Sequence, residues 1–229
     1  MKFIKFTLSA PLQSWGEDAR WDQRTTAVMP TKSAVIGILG CCLGLLRGSE
    51  QLSRLDEQIY MAVRAERPGV LMTDFHTVQG TEGVFLNAKG VPRGGGGTII
   101  TPKQYLQDAI FTVFIWGEES ILDTCFQAMM HPKWAVYLGR KSCPPAVPLL
   151  PQIVYADTPL DAVKTFTDTE KARSSEFVQV ETDIQDVRAD RIMEENYHEI
   201  SRRDAVCRAD KNEYSIRRVY SFAVPSGGK

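Results

Sequence analysis

Apolar and polar residues alternate from the start of the chain. In KFIKFTLSA, Ile4, Phe6 and Leu8 fall on one side, with Lys5 and Thr7 on the other. A period of two is that of a half-buried strand, so the pattern predicts a first strand here. The polar stretch PLQSWGEDARWDQRTTAVMP follows and predicts a long loop. TKSAVIGILGCCLGLL is then almost wholly apolar and predicts a buried helix capped by Thr31. Gly37, Gly40 and Gly44 recur at i, i+3 and i+7, which gives this helix a bare face suited to close approach to a sheet. IYMAVRAE and VLMTDFHTVQ predict two strands joined at RPG, and AIFTVFIWG predicts another. EESILDTCFQAMM has the helical period and opens on acids, which favour a helix N-terminus. A proline-rich loop, WAVYLGRKSCPPAVPLLP, leads into the short strand QIVYA.

The order β-α-β-β…β-α-β predicts an α+β fold of the ferredoxin-like (RRM-like) kind over residues 1–155. Residues 156–229 form a small acidic β-rich C-terminal region in this reading, with a helix starting near Pro159 and strands at FVQVE and YSIRRVYSFAV. The 229 residues, 43% hydrophobic and 24% charged, are those of an ordinary globular protein with a sizeable core. No apolar run reaches the ~18 residues of a membrane span. Lys5 interrupts the N-terminal apolar run, which makes a poor signal peptide and points to the cytoplasm. The five cysteines show no CxxC and no metal-ligand spacing with the three histidines. They read as buried reduced thiols, and no metal or cofactor is expected.

Charge changes the picture. The net charge is −1, but residues 157–213 hold 15 Asp and Glu against 9 Lys and Arg. Three other stretches, Gln23–Ser49, Gly83–Gln107 and Thr124–Ala156, hold no acid at all. They carry Arg24, Lys32 and Arg47; Lys89, Arg93 and Lys103; and Lys133, Arg140 and Lys141. Local positive surfaces of this kind suit a phosphate backbone.

The most unusual stretch is KGVPRGGGGTIITPK, with four consecutive glycines. It lacks GxxxxGK[ST], and β-branched residues follow its glycines in place of a helix, so it is no mononucleotide cradle. A β-hairpin with a flexible cationic tip and a disordered surface insertion remain. The helix start at Thr31, with Lys32 and Ser33, offers an anion site. LQSWGEDARWDQRTT interleaves Trp15 and Trp21 with Gln13, Arg20 and Arg24, a pattern that suits stacking on single-stranded bases. YLGRKSCP places Arg140 and Lys141 after a glycine, where amides and cations could grip phosphate. HExxH, GxSxG and a paired-carboxylate motif are absent, and His76 is the one histidine placed for acid–base work.

LQSWG, MPTKSAVIGILGCCLGL, DFHTVQG and YLGRKSCP, in this order, resemble the CasD subunit family of type I-E CRISPR Cascade complexes. The resemblance spans most of the first 155 residues and is loose over the acidic C-terminal third. It implies a RAMP domain with an inserted β-hairpin thumb at about residues 79–102, the glycines lying at or near its tip. It implies a noncatalytic ribonucleoprotein subunit of antiviral defence that binds the crRNA 5′ handle and caps one end of the Cascade filament. The partners implied are the adjacent Cascade backbone subunit and the large subunit. The expected RNA-binding set is Gln13, Trp15, Arg24, Lys32, Ser33, His76, Lys89, Arg93, Lys103, Arg140 and Lys141. A related type I-C subunit is a metal-independent endoribonuclease whose catalytic set includes an adjacent Lys-His pair. No Lys-His dipeptide occurs here, so RNA-binding subunit ranks above endoribonuclease. A free-standing protein-interaction module is the third class.

Overall fold

The alternating N-terminal run forms β1 (Lys2–Ser9), one strand of a seven-stranded sheet in which every pairing is antiparallel. The computed structural model describes residues 1–16, 23–80, 90–91, 98–166, 177–183 and 197–225. A two-residue strand, β2 (Leu12–Gln13), follows β1. The other strands of the large sheet are β3 (Ile59–Arg67), β6 (Ile110–Gly117), β7 (Gln152–Tyr155), β8 (Phe177–Asp183), β9 (His198–Arg208) and β10 (Glu213–Pro225). Their spatial order is β7-β1-β6-β3-β8-β10-β9. β3 and β6 are buried nearly end to end, because both faces of the sheet are covered where they lie.

Helices α1 (Lys32–Leu43), α2 (Glu50–Gln58) and α3 (Glu119–Met130) cover one face, where Ile4, Phe6 and Leu8 pack with Val35, Leu39 and Leu122. α4 (Pro159–Thr165) covers the other face, over Phe3, Phe114, Trp116 and Phe222. It begins at the predicted proline, and Thr158 Oγ1 accepts from the Asp161 amide. β8 pairs with β3 through Ala62↔Thr182 and Arg64↔Val180. One sheet therefore runs across the boundary expected at residues 155–156, and the β-rich C-terminal region is its continuation.

The strands joined at RPG are β3 and β4 (Val70–Gln79), but they do not pair with each other. β4 belongs to a second, three-stranded sheet of order β2-β5-β4, with β5 (Thr98–Gln107) in the centre. β4 and β5 pair in continuous register from Val70↔Gln107 to Gln79↔Thr98. Gly69 makes the switch between sheets at φ 77°, where a Cβ would stand 2.7 Å from the Gln107 carbonyl.

The glycine face of α1 serves other ends than contact with a sheet. A Cβ on Gly37 would meet open space, and one on Gly40 would meet Leu52 of α2. Gly44 is the left-handed C-cap of α1 at φ 73°. Thr31 stands at the N-cap, but its hydroxyl makes no capping bond there. Of the five free cysteines, Cys42, Cys125 and Cys143 are buried, Cys41 is half-buried and Cys207 is exposed. Burial pushes the Cys42 thiol up to about 12 and Cys125 to about 11, which keeps both protonated and unreactive. Among the described residues no helix is long and apolar enough to cross a membrane, and no cluster of three His, Cys, Asp or Glu could hold a metal.

Candidate nucleic-acid interface

The small sheet brings distant cations together. Across β4 and β5, Asp74 faces Lys103, His76 faces Thr101 and Met72 faces Tyr105, so all six share one face of the hairpin. Lys103 Nζ lies 3.1 Å from His76 Nδ1. An ammonium can only donate, so Nδ1 accepts and the proton of the neutral ring sits on Nε2. Nε2 stands 2.8 Å from Asp74 Oδ2 and 3.3 Å from the Tyr105 hydroxyl. The Arg140 guanidinium lies 4.6 Å above the Tyr105 ring, within the range of a cation–π contact.

Backbone bonds fix this arrangement. Arg24 lies along the free edge of β5: its amide donates to the Pro102 carbonyl at 3.1 Å, and its carbonyl accepts from the Gln104 amide at 2.7 Å. The same Arg24 carbonyl accepts from Arg140 Nη2 at 2.9 Å. The turn that carries Arg140 is tied down by the Ser14 amide, which donates to the Leu138 carbonyl at 3.2 Å. Gly139, at φ 87°, lets the turn approach so closely that a Cβ there would stand 1.6 Å from the Ser14 carbonyl oxygen. LQSWG and YLGRKSCP are thus one structural unit. One residue from each of the three acid-free stretches meets the others at this point, Arg24 through its backbone and Lys103 and Arg140 through their side chains. Lys141 is exposed beside them. Tyr105 is the member that sequence reading missed: in TIITPKQYLQ it reads as one more strand residue, and only the β4–β5 register sets it beside His76.

Other expected residues go elsewhere. Trp15 is fully buried and packs edge-on against Phe111 at 6.4 Å, because its amide is tied to Thr26 Oγ1 and its carbonyl to the Ala27 amide. Its faces are closed to a base. Gln13 is also buried and donates to the Ala109 carbonyl at 2.7 Å. Arg20, Trp21, Lys89, Arg93 and the four-glycine run lie outside the described residues.

The N-terminus of α1 is occupied from within. The Lys32 amide donates to Asp204 Oδ2 at 2.6 Å, so a carboxylate of β9 takes the place expected for a phosphate. A register shift in the β9–β10 pairing, between Ser215 and Arg217, occurs where Asp204 turns inward. Arg217 holds Asp204 with two bonds of 2.9 and 2.8 Å and reaches Asp183 at 2.5 Å. Burial pulls the Arg217 guanidinium down, but the bonds and charges of Asp204 and Asp183 outweigh it and hold the group above its ordinary range. Lys32 is buried, with its ammonium 3.5 Å from Asp56, and Ser33 is half-buried near the Thr31 hydroxyl.

Fold and site together define an α/β protein built on antiparallel sheet, with a second small sheet that presents a cationic, histidine-bearing face. The family model for CRISPR-associated protein (Cas_Cas5) matches residues 3–220, and the chain belongs to that family. It is 32% identical over 176 residues to the CRISPR system Cascade subunit CasD of Escherichia coli (strain K12), an alignment covering 72% of this chain and 76% of the relative. Among solved structures, a chain of a CRISPR RNA-guided surveillance complex superposes with a TM-score of 0.73 at 28% identity, over 98% of this chain and 90% of the other. A crystal structure of a Cas protein superposes with a TM-score of 0.61 at 24% identity, over 98% and 95% of the two chains, and shares the fold.

Proposed function

We propose that this chain is a noncatalytic RNA-binding subunit of a Cascade-type surveillance complex in antiviral defence, acting in the cytoplasm. It binds and caps the crRNA 5′ handle and touches the adjacent backbone subunit and the large subunit. The observation that carries this reading is the meeting of Arg24, Lys103 and Arg140 around His76 and Tyr105, drawn from stretches that contain no acid. Cations and a half-buried imidazole suit contacts to phosphate and sugar, which position RNA without reading its sequence. The strand order β7-β1-β6-β3, with α1 and α3 in the crossovers, supports a ferredoxin-like domain. The β4–β5 pair supports a thumb that runs from Val70 to Gln107, longer than residues 79–102. Its other face leaves Leu71, Phe75 and Ile100 exposed in a row, which supports a protein neighbour on that side.

Titration of a labelled handle RNA over a range of salt tests the reading. Lys103→Glu and Arg140→Glu should each weaken binding and flatten the salt dependence by about 0.7 for each phosphate no longer neutralised, the value for single strands. Folded variants with unchanged affinity and slope would rule out this face.

A second reading, metal-independent endoribonuclease, is favoured by one observation: Lys103 and Tyr105 both stand within reach of His76. Such a reaction needs a base to take the 2′-hydroxyl proton, a cation on the phosphate and an acid to protonate the 5′-oxygen leaving group as a 2′,3′-cyclic phosphate forms. The noncatalytic reading ranks first because both ring nitrogens of His76 are already engaged. Cleavage of repeat RNA by the pure chain, abolished in His76→Ala and Tyr105→Phe, would reverse that order.

A further inference from the structure

A cavity of about 730 Å³ opens between the start of α1, the end of α2, the start of β3 and the β9–β10 pair. Lys32, Asp56, Tyr60, Asp183, Ile216 and Arg217 are among its lining residues. Its floor is an ionic cluster in which two cations, Lys32 and Arg217, face three carboxylates, Asp56, Asp183 and Asp204. Two of those carboxylates are filled. Asp204 receives Arg217 and the Lys32 amide, and Asp183 receives Arg217 and the Met61 amide.

Asp56 is different. Its side chain is 6% exposed; Oδ2 lies 3.5 Å from Lys32 Nζ, the Val206 backbone also bonds to the carboxylate, and Oδ1 is buried with no hydrogen-bond partner among the described residues. A buried carboxylate oxygen without a donor is costly, and the cluster carries one negative charge in excess; Glu57 and Arg218, which also line the cavity, offset each other. The cavity holds many times the ~30 Å³ share of one water. Tyr60, stacked on Trp116, and the exposed Ile216 give it an aromatic and an aliphatic wall.

We propose that this cavity binds a monovalent organic cation with N–H donors, a guanidinium or primary ammonium on a short aliphatic stem. The head group donates to Asp56 Oδ1 and offsets the excess carboxylate, while the stem lies against Tyr60 and Ile216. A metal ion would need several free oxygens, and this cluster offers one. The same chemistry reaches the site from a free amine or from an arginine or lysine side chain of a neighbouring protein.

The probe is ethylguanidinium chloride, with neutral ethylurea as control, followed by calorimetry and two-dimensional NMR on the full chain. Saturable binding of ethylguanidinium and none of ethylurea is expected. Asp56→Asn should weaken it by ~10-fold or more, the scale of a hydrogen bond to a charged group. Ile216→Trp narrows the mouth, leaves the ionic cluster intact, and should weaken binding as well; it carries the test if Asp56→Asn does not fold. The assembled ribonucleoprotein, titrated in the same way, identifies the source. Binding retained there assigns the site to a free amine, and binding abolished there assigns it to a partner side chain. Absence of saturable binding to the free wild-type chain, or equal binding in wild type and both variants, overturns the proposal.

Discussion

Gly139→Ala tests whether the Arg140 turn is locked to the first loop as the geometry requires. The added Cβ would stand 1.6 Å from the Ser14 carbonyl oxygen and 2.7 Å from its carbon. Non-bonded carbon settles at about 3.5 Å, so the two segments must part by about 2 Å. That stretches the 3.2 Å bond from the Ser14 amide to the Leu138 carbonyl beyond any hydrogen bond. An amide left unpaired costs about 1–3 kcal/mol, and an alanine held at φ 87° about 1–2 kcal/mol more. Because the loop relaxes in part, a loss of about 2–4 kcal/mol is expected, a large share of the ~5–15 kcal/mol of a typical domain. Arg140 moves with the turn, so the salt dependence of RNA binding should flatten by about 0.7.

Gly37→Ala is the control of opposite sign. Gly37 lies exposed inside α1 with open space at its Cβ, so alanine should stabilise by about 1 kcal/mol through helix propensity. Urea unfolding of both variants, beside handle-RNA titration, decides the matter. A Gly139→Ala protein as stable as wild type would refute the locked turn.

Burial raises the Asp56 carboxyl from its ordinary 3.8 to about 6, while Lys32 opposes the rise. The folded chain thus keeps a proton that the unfolded chain has lost, and this contribution to stability falls as pH rises from about 4 to about 6. A wild-type-minus-Asp56→Asn stability curve should drop by up to about 3 kcal/mol across that window, and a flat curve would contradict it. Asp204→Ala takes from Arg217 one of its two carboxylates and uncaps α1, and should cost about 3–5 kcal/mol by urea unfolding; Asp204→Asn, still able to accept from the Lys32 amide, should cost less, and equal losses would refute the capping role. Deletion of residues 89–98 should leave the melting temperature within a few degrees of wild type yet abolish pull-down of the backbone subunit with crRNA; a deletion that assembles fully would reduce the segment to a tolerated loop.

The sequence revealed elements where burial and period agree. β1, β3 and β6, α1 and α3, and the Pro159 helix all declare themselves by apolar pattern or caps. β9 did not, because HEISRRDAVCR is charged at five of its eleven positions and takes its place through ion pairs such as Arg202–Glu181 and Arg217–Asp204, which leave no clean apolar alternation. α2 shows only Leu52 and Leu55 on its inner side, although Ser49 as N-cap was a readable signal. The candidate site was half legible. Arg24, Lys103 and Arg140 stood out by charge and acid-free surroundings and His76 by its chemistry, whereas Lys32 stood out for the same charge and Trp15 as an aromatic among guanidiniums, and both are buried. Composition cannot distinguish a tryptophan that faces RNA from one whose amide is tied to Thr26, nor a helix end open to phosphate from one filled by a carboxylate 172 residues away.

That last distinction explains how a chain of net charge −1 can serve a polyanion. Many acids of the C-terminal third are spent internally. Glu181 holds Arg202, Asp183 and Asp204 hold Arg217, and Glu199 holds Arg218. Much of their charge is offset at short range inside or beside the sheet, and what remains is screened within a Debye length of about 8–10 Å. On the hairpin side the balance is reversed. Lys103, Arg24, Arg140 and Lys141 come from acid-free stretches, and Asp74 is the one carboxylate found within their cluster among the described residues. An approaching phosphate chain therefore meets the local field of that face before it meets the net charge of the molecule. The sign of the whole chain and the sign of the hairpin face differ because acids elsewhere are paired, whereas Arg24 and Lys141 are exposed and Lys103 and Arg140 half-buried around a single carboxylate among the described residues.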